Sequence, residues 1–216
     1  MTFSGDPQLF IITGSNGAGK STYRQALLPP EFNTLEIFDG DIYYTQQSKA
    51  FYKETRSSKE SRKLAEEALE MEFLRLVELS ISTRKSFAYE GHFTGKGAWR
   101  VPERFKQDGF KINLIFCGLN TLKKSIQRVD LRVKKGGFHV PPLAIENNYW
   151  GNLEMLDNNF LMVDHLEIID TSNLITSIAK IESGVVVKAV PFDQLPYWVT
   201  KGLPVISSHI ADFQQI

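Results

Sequence analysis

The chain has 216 residues with 25 basic and 25 acidic side chains, so no net field favours nucleic acid or an anionic membrane. Its apolar fraction of 42% and charged fraction of 23% exclude the disordered and collagenous classes and fit one α/β domain with a modest elaboration. A single cysteine, Cys117, excludes an internal disulfide and suits a reducing cytoplasm.

Residues 1–6 lack the basic and apolar stretches of a secretion signal, and no apolar run reaches the length of a membrane span. A cytoplasmic protein is the expectation. Residues 8–13 read as a short buried strand. Directly after it, Gly14-Ser15-Asn16-Gly17-Ala18-Gly19-Lys20-Ser21 fit the phosphate-binding pattern G-x-x-x-x-G-K-[ST]. The glycines let consecutive backbone N–H groups turn inward onto phosphate oxygens. Lys20 brings a point charge to the β- and γ-phosphates, and the Ser21 hydroxyl suits Mg²⁺. Ser21 and Thr22 open a helix that Pro29 and Pro30 stop, so its dipole adds to the site. Gly14 through Thr22 are therefore the nucleotide-binding candidates, for ATP or GTP.

A second strand is expected at about 34–39, ending in Asp39-Gly40-Asp41. The carboxyl ends of strands in open α/β sheets line the ligand crevice. Asp41 lies past the strand end and is the candidate base for an attacking hydroxyl, while Asp39 is a candidate for substrate or metal contact or for holding the loop. The plainer reading of this segment is a turn. A long helix follows at about 58–83, with an apolar stripe of Ala65, Leu69, Phe73 and Leu76. Glu72 falls inside that stripe, so it either pairs, snorkels to the edge or lines a substrate pocket. Strand three, about 86–90, ends in Glu90 on the same sheet edge, which makes Glu90 a candidate for metal-linked or substrate contact. His92 and Thr94 in the following loop are further candidates for substrate binding.

A helix at 98–108 stops at Gly109, and strand four covers 111–117, burying Cys117 as an inert thiol. The basic helix at about 120–135 places Arg128 and Arg132 four residues apart on one face and ends at the Gly136-Gly137 hinge. Two guanidinium groups in register can clamp a transferring phosphoryl group, and a solvated basic face is the bland alternative. Another helix runs from about 141 to 162, strand five spans 166–170, and residues 176–190 read as an appended antiparallel hairpin turning at Ser183-Gly184. Residues 191–216 read as a small cap beyond a kinase domain of residues 1–190. The expected architecture is a mainly parallel five-stranded core with flanking helices, an arginine-bearing lid at about 120–140 and that hairpin.

The segment 86–90 with its Thr94-Gly95 loop, Arg128-Val129-x-x-Arg132-Val133-x-x-Gly136-Gly137 and Asp170-Thr171-Ser172-Asn173 resemble the zeta-toxin-like P-loop kinases over roughly residues 8–190. The resemblance implies an ATP- or GTP- and Mg²⁺-dependent kinase acting on a small-molecule hydroxyl. For the founding toxins that acceptor is a UDP-activated amino sugar, and an antitoxin is the implied partner. It also implies Lys20 and Ser21 at the phosphates and metal, Asp41 as base, Arg128 and Arg132 in the lid, and Glu72 on the helix that carries a substrate glutamate. Two positions depart from the family pattern. His139 stands one residue late, and Asn148-Tyr149 occupies the place of an Arg-Tyr pair, which removes one lid cation. Open alternatives are a nucleotide-binding module with little turnover and a kinase of nucleic-acid ends, the latter disfavoured by the neutral charge.

Overall fold

The computed structural model describes residues 5–215. Residues 1–4, part of the stretch read as lacking a secretion signal, lie outside the described residues. Seven strands form one mixed sheet: β1 (Gln8–Gly14), β2 (Ile37–Asp39), β3 (Phe87–Glu90), β4 (Lys111–Gly118), β5 (His165–Asp170), β6 (Thr176–Glu182) and β7 (Val185–Ala189), in the order β2-β3-β1-β4-β5-β6-β7. The pairings β2–β3, β3–β1, β1–β4 and β4–β5 are parallel, and β6 and β7 continue the sheet antiparallel from β5. The C-terminal hairpin is thus no appendage but part of the same sheet. It turns at Ser183 and Gly184, both at positive φ, as a tight two-residue hairpin requires.

Every residue of β1 is buried, because strands flank it on both sides and helices pack against it. That burial fixes the sheet's central strand and with it the loop that leaves its carboxyl end. The helices are α1 (Lys20–Leu27), α2 (Gly40–Thr55), α3 (Ser58–Thr83), α4 (Arg100–Gln107), α5 (Leu122–Lys134), α6 (Pro142–Asn159), α7 (Tyr197–Gly202) and α8 (Pro204–Phe213). Sequence reasoning missed α2. It has no buried residue, so it carries no apolar stripe to read. Its start is nevertheless well specified: the Asp39 carboxylate caps it by accepting from the Ile42 N–H at 3.1 Å. Strand two is correspondingly shorter than expected, and Asp41 sits in the first turn of a helix rather than in a free loop.

One main core spans the sheet and includes Trp198, Val199, Leu203, Ile206 and Ile210 from the C-terminal helices. A small separate cluster of Val129, Val140 and Ile145 joins α5 to α6. Among the described residues no helix is long and apolar enough to cross a membrane.

Candidate functional site

The loop between β1 and α1 wraps against α5 with no space to spare. Gly17 sits at φ 71°, and a Cβ there would press on the Arg128 side chain. The loop opens onto a cavity of about 430 Å³ lined by residues 16–22, Asp41, Glu90, His92, Arg128, Arg132 and Lys135. The structure therefore brings together the loop, the carboxylates at the ends of β2 and β3, and the basic helix.

Lys20 is 6% exposed, and its ammonium donates to the carbonyls of Gly14 and Ser15 at 3.0 and 3.1 Å. Burial lowers its pKa, and the nearby Glu90 carboxylate opposes that shift. The Ser21 hydroxyl donates to both carboxylate oxygens of Glu90, at 3.1 and 2.9 Å. Burial raises the Glu90 pKa against the pull of Lys20. Asp41 lines the same cavity, and its pKa is raised first by partial burial and then by the neighbouring Asp39 charge. Asp39 faces elsewhere: one oxygen caps α2 and the other accepts from Arg24 at 2.6 Å. These two bonds tie the carboxyl end of β2 to α1 and α2.

The two arginines divide. Arg128 donates to the carbonyls of Gly17, Thr171 and Ser172 at 3.2, 2.7 and 2.9 Å, so it ties the phosphate loop to the loop after β5. Arg132 lines the cavity with buried Nε and Nη2 atoms that have no partner. An orphaned buried guanidinium is costly unless an anion meets it. The two arginines expected together both line the cavity but differ in their bonding, Arg128 with three carbonyl partners and Arg132 with two buried nitrogens unpartnered.

His92 lies within 3.4 Å of Asn16 Nδ2 on one side and Asn152 Nδ2 on the other. Burial, with the Lys20 charge second, lowers its pKa to about 3, so the ring is neutral. Sequence reasoning named Asn16 in the phosphate loop and Asn148 as a departure from the family pattern, but missed Asn152 and the bonds among them. Asn148 donates to Asn16 Oδ1 at 2.8 Å, and Asn152 Oδ1 accepts from Thr13 Oγ1 at 2.9 Å and the Phe93 N–H at 2.7 Å. Their spacing of four along α6 was the available signal. Where the resemblance called for a lid cation, Asn148 instead grips the phosphate loop.

Glu72 and Thr94 are not brought to this cavity. Glu72 forms a bidentate ion pair with Arg75, at 2.8 and 2.7 Å, on the outside of α3. Thr94 is exposed and packs against Gly151 of α6. A second cavity of about 400 Å³ adjoins the first and shares Glu90 and His92 with it. Phe38, Leu69, Phe73, Tyr89, Phe93 and Val101 give it apolar walls. The consecutive residues Gly40 and Asp41 line one cavity each.

A further tie runs from the C-terminus. The Trp198 indole donates to Asp170 Oδ2 at 2.6 Å, Asp170 Oδ1 accepts from the Ser172 N–H at 2.6 Å, and the Ser172 carbonyl accepts from Arg128.

The Ser21 hydroxyl beside a carboxylate, facing a phosphate-binding loop, is a hard-oxygen donor set of the kind Mg²⁺ takes when phosphates and water complete its shell. As a whole the crevice can hold a polyphosphate against Lys20 and Arg132 and present a carboxylate beside an adjoining apolar cavity.

No family model matches the chain, and no curated protein matches it in sequence. Solved structures do. A structure of the PezAT chromosomal toxin–antitoxin system of Streptococcus pneumoniae aligns with TM-score 0.61 and 16% identity, covering 100% of this chain and 90% of that one. The AvrRxo1-ORF1:ORF2 complex with ATP aligns with TM-score 0.60 and 15% identity, covering 84% of this chain and 60% of that one. The Pnkp1/Rnl/Hen1 RNA repair complex aligns with TM-score 0.52 and 19% identity over 73% of this chain and 47% of that one. At such identities the likeness concerns architecture: the chain shares the α/β fold of these structures.

Proposed function

We propose that the protein is an ATP- and Mg²⁺-dependent kinase that transfers the γ-phosphoryl group to the hydroxyl of a small molecule. The observation that carries this reading is that the cavity lined by the phosphate loop and Asp41 shares Glu90 with a second, adjoining cavity, which Gly40 beside Asp41 also lines. A hydrolase needs only the first. In this reading the triphosphate lies along residues 14–22, the acceptor occupies the apolar cavity, and its hydroxyl gives its proton to Asp41 as the oxygen attacks the γ-phosphorus in line. The new O–P bond forms while the bridging bond breaks, and the electrons leave on ADP. Lys20 and Arg132 offset the charge that builds on the transferring group. Ser21, with Glu90 behind it, would hold Mg²⁺, which supplies charge neutralisation at the β- and γ-phosphates.

The structural neighbours and the sequence resemblance support a kinase over a switch or transporter ATPase. The sequence resemblance implies a UDP-activated amino sugar as acceptor, which the acidic lining of the apolar cavity opposes, and an antitoxin-like protein is the partner that the toxin–antitoxin neighbour suggests. A second reading, a nucleotide-binding module with little turnover, draws on Arg128 being engaged by three carbonyls and Asn148 standing where a cation was expected.

Incubation with γ-labelled ATP, Mg²⁺ and a metabolite extract separates the two. Labelled small-molecule product that vanishes in Lys20→Ala and Asp41→Asn is the kinase result. Nucleotide binding without transfer to any acceptor would favour the module.

A further inference from the structure

The apolar cavity beside the phosphate site has a charge pattern that its shape alone does not explain. Its charged lining consists of Glu66, Glu70 and Glu90, with no lysine or arginine. Glu66 and Glu70 stand four apart on α3, exposed at the cavity rim, and among the described residues neither has an ion-pair partner. The basic groups of the crevice, Lys20, Arg128, Arg132 and Lys135, all line the other cavity. The sole other titratable groups of the apolar cavity are Tyr89, whose pKa burial pushes far up, and the neutral His92.

We infer that the acceptor is a hydroxyl-bearing small molecule with an apolar body and a positive charge, of the amino-alcohol type, and not an anionic nucleotide-activated sugar. The inference rests on the kinase reading above and names its acceptor class. A diphosphate group in this cavity would face the unpaired Glu66 and Glu70 carboxylates, with Glu90 already paired to Arg24 at 3.7 Å and no cation in the lining, a like-charge arrangement that selects against it. An aromatic or branched body would cover Phe73, Tyr89 and Phe93, whose rings already stack edge to face and face to face around the cavity. An ammonium at the rim would meet Glu66 and Glu70, and the shared wall of Glu90 and His92 places the molecule's hydroxyl next to the phosphate cavity.

The test uses three probes that share a benzylic alcohol and differ in charge: 2-amino-1-phenylethanol, 1-phenyl-1,2-ethanediol and mandelate, with UDP-N-acetylglucosamine as a fourth. Binding of each to the full chain is measured by ligand-observed NMR at low salt, where exposed charges are least screened. The expected order is amine over diol over mandelate, about fivefold at each step, as exposed charge pairs allow. In the doubly substituted Glu66→Gln, Glu70→Gln protein the amine loses its advantage and the diol is unaffected. Both positions are exposed, so the fold is retained. Equal binding of amine and diol, tighter binding of mandelate or the UDP-sugar, or no binding of any of the three probes at millimolar concentration overturns the inference. ATP binding followed in the same samples bears on the kinase reading separately, since the rank order of the probes does not depend on phosphoryl transfer.

Discussion

The Ser21 hydroxyl and the Glu90 carboxylate meet at 3.1 and 2.9 Å, the closest link between the phosphate loop and the end of β3. In the proposed reading Glu90 thereby orients the Ser21 hydroxyl that would bind the metal. Groups that orient a metal ligand typically govern roughly 10–100-fold in metal affinity or activity. Glu90→Gln and Ser21→Ala should each raise the Mg²⁺ concentration for half-maximal transfer by about that factor. A titration of γ-phosphoryl transfer against Mg²⁺ checks it, and unchanged midpoints would remove Glu90 from the metal site.

Arg128 and Arg132 should separate when each is replaced by alanine. Arg132→Ala removes a guanidinium with no protein partner, so transfer falls roughly 10²–10³-fold while the urea midpoint barely moves. Arg128→Ala leaves the carbonyls of Gly17, Thr171 and Ser172 without their donor and should cost about 1–3 kcal/mol of stability. Paired urea melts and transfer rates make the comparison.

Asp41 gives a pH prediction with two readouts. Its pKa is raised by partial burial and by Asp39, so the acid limb of the transfer rate should lie above the usual Asp range. A carboxyl whose folded pKa is raised keeps its full stability below the unfolded value and loses it as pH rises through the folded value. Asp41→Asn should therefore abolish transfer yet match or exceed the parent's Tm at neutral pH. That gain should shrink toward zero by pH ~3, where the parent carboxyl is protonated in both states.

His92 acts in the opposite sense. Its pKa is lowered to about 3 from the ordinary 6.5, so stability is lost as pH falls through 6.5 toward 3. His92→Gln removes that proton uptake, and its Tm should decline less steeply over this window. Its transfer rate should show no new limb between pH ~6 and ~8, because the parent ring is already neutral there.

Trp198→Phe keeps most of the ring that stacks on Phe116 but deletes the N–H given to Asp170. The buried carboxylate oxygen left behind should cost about 1–3 kcal/mol in a denaturant melt. Gly118→Ala tests the same contact from the sheet side, since an added methyl there would overlap the indole.

That the phosphate loop, Asp41 and Glu90 meet at one cavity was legible in the sequence, because short segments with the right residue types and spacing end neighbouring strands. Other features depended on contacts between distant segments. Nothing in the spacing of Arg128 and Arg132 says that the first would reach Gly17 and Thr171, whereas the second would reach no protein group. Asn148 and Asn152 bond to Asn16 and Thr13, more than a hundred residues earlier. For Glu72 the sequence left three readings open, and the structure takes the pairing one, with Arg75. α3 buries only Ser61, Ala65, Val77 and Ser80 fully, so its apolar stripe is a shallow guide to which side faces a cavity. The glutamates that do reach a cavity rim, Glu66 and Glu70, looked like ordinary helix surface.

The path from Trp198 through Asp170 and Ser172 to Arg128 and Gly17 also sets an order of events during synthesis. The phosphate loop leaves the ribosome early, but the indole that holds its distant support is made near the end. A nascent chain stopped short of Trp198 carries every residue of the two cavities and lacks the brace behind them. Catalytic competence would then arrive late and abruptly, after the last helices dock.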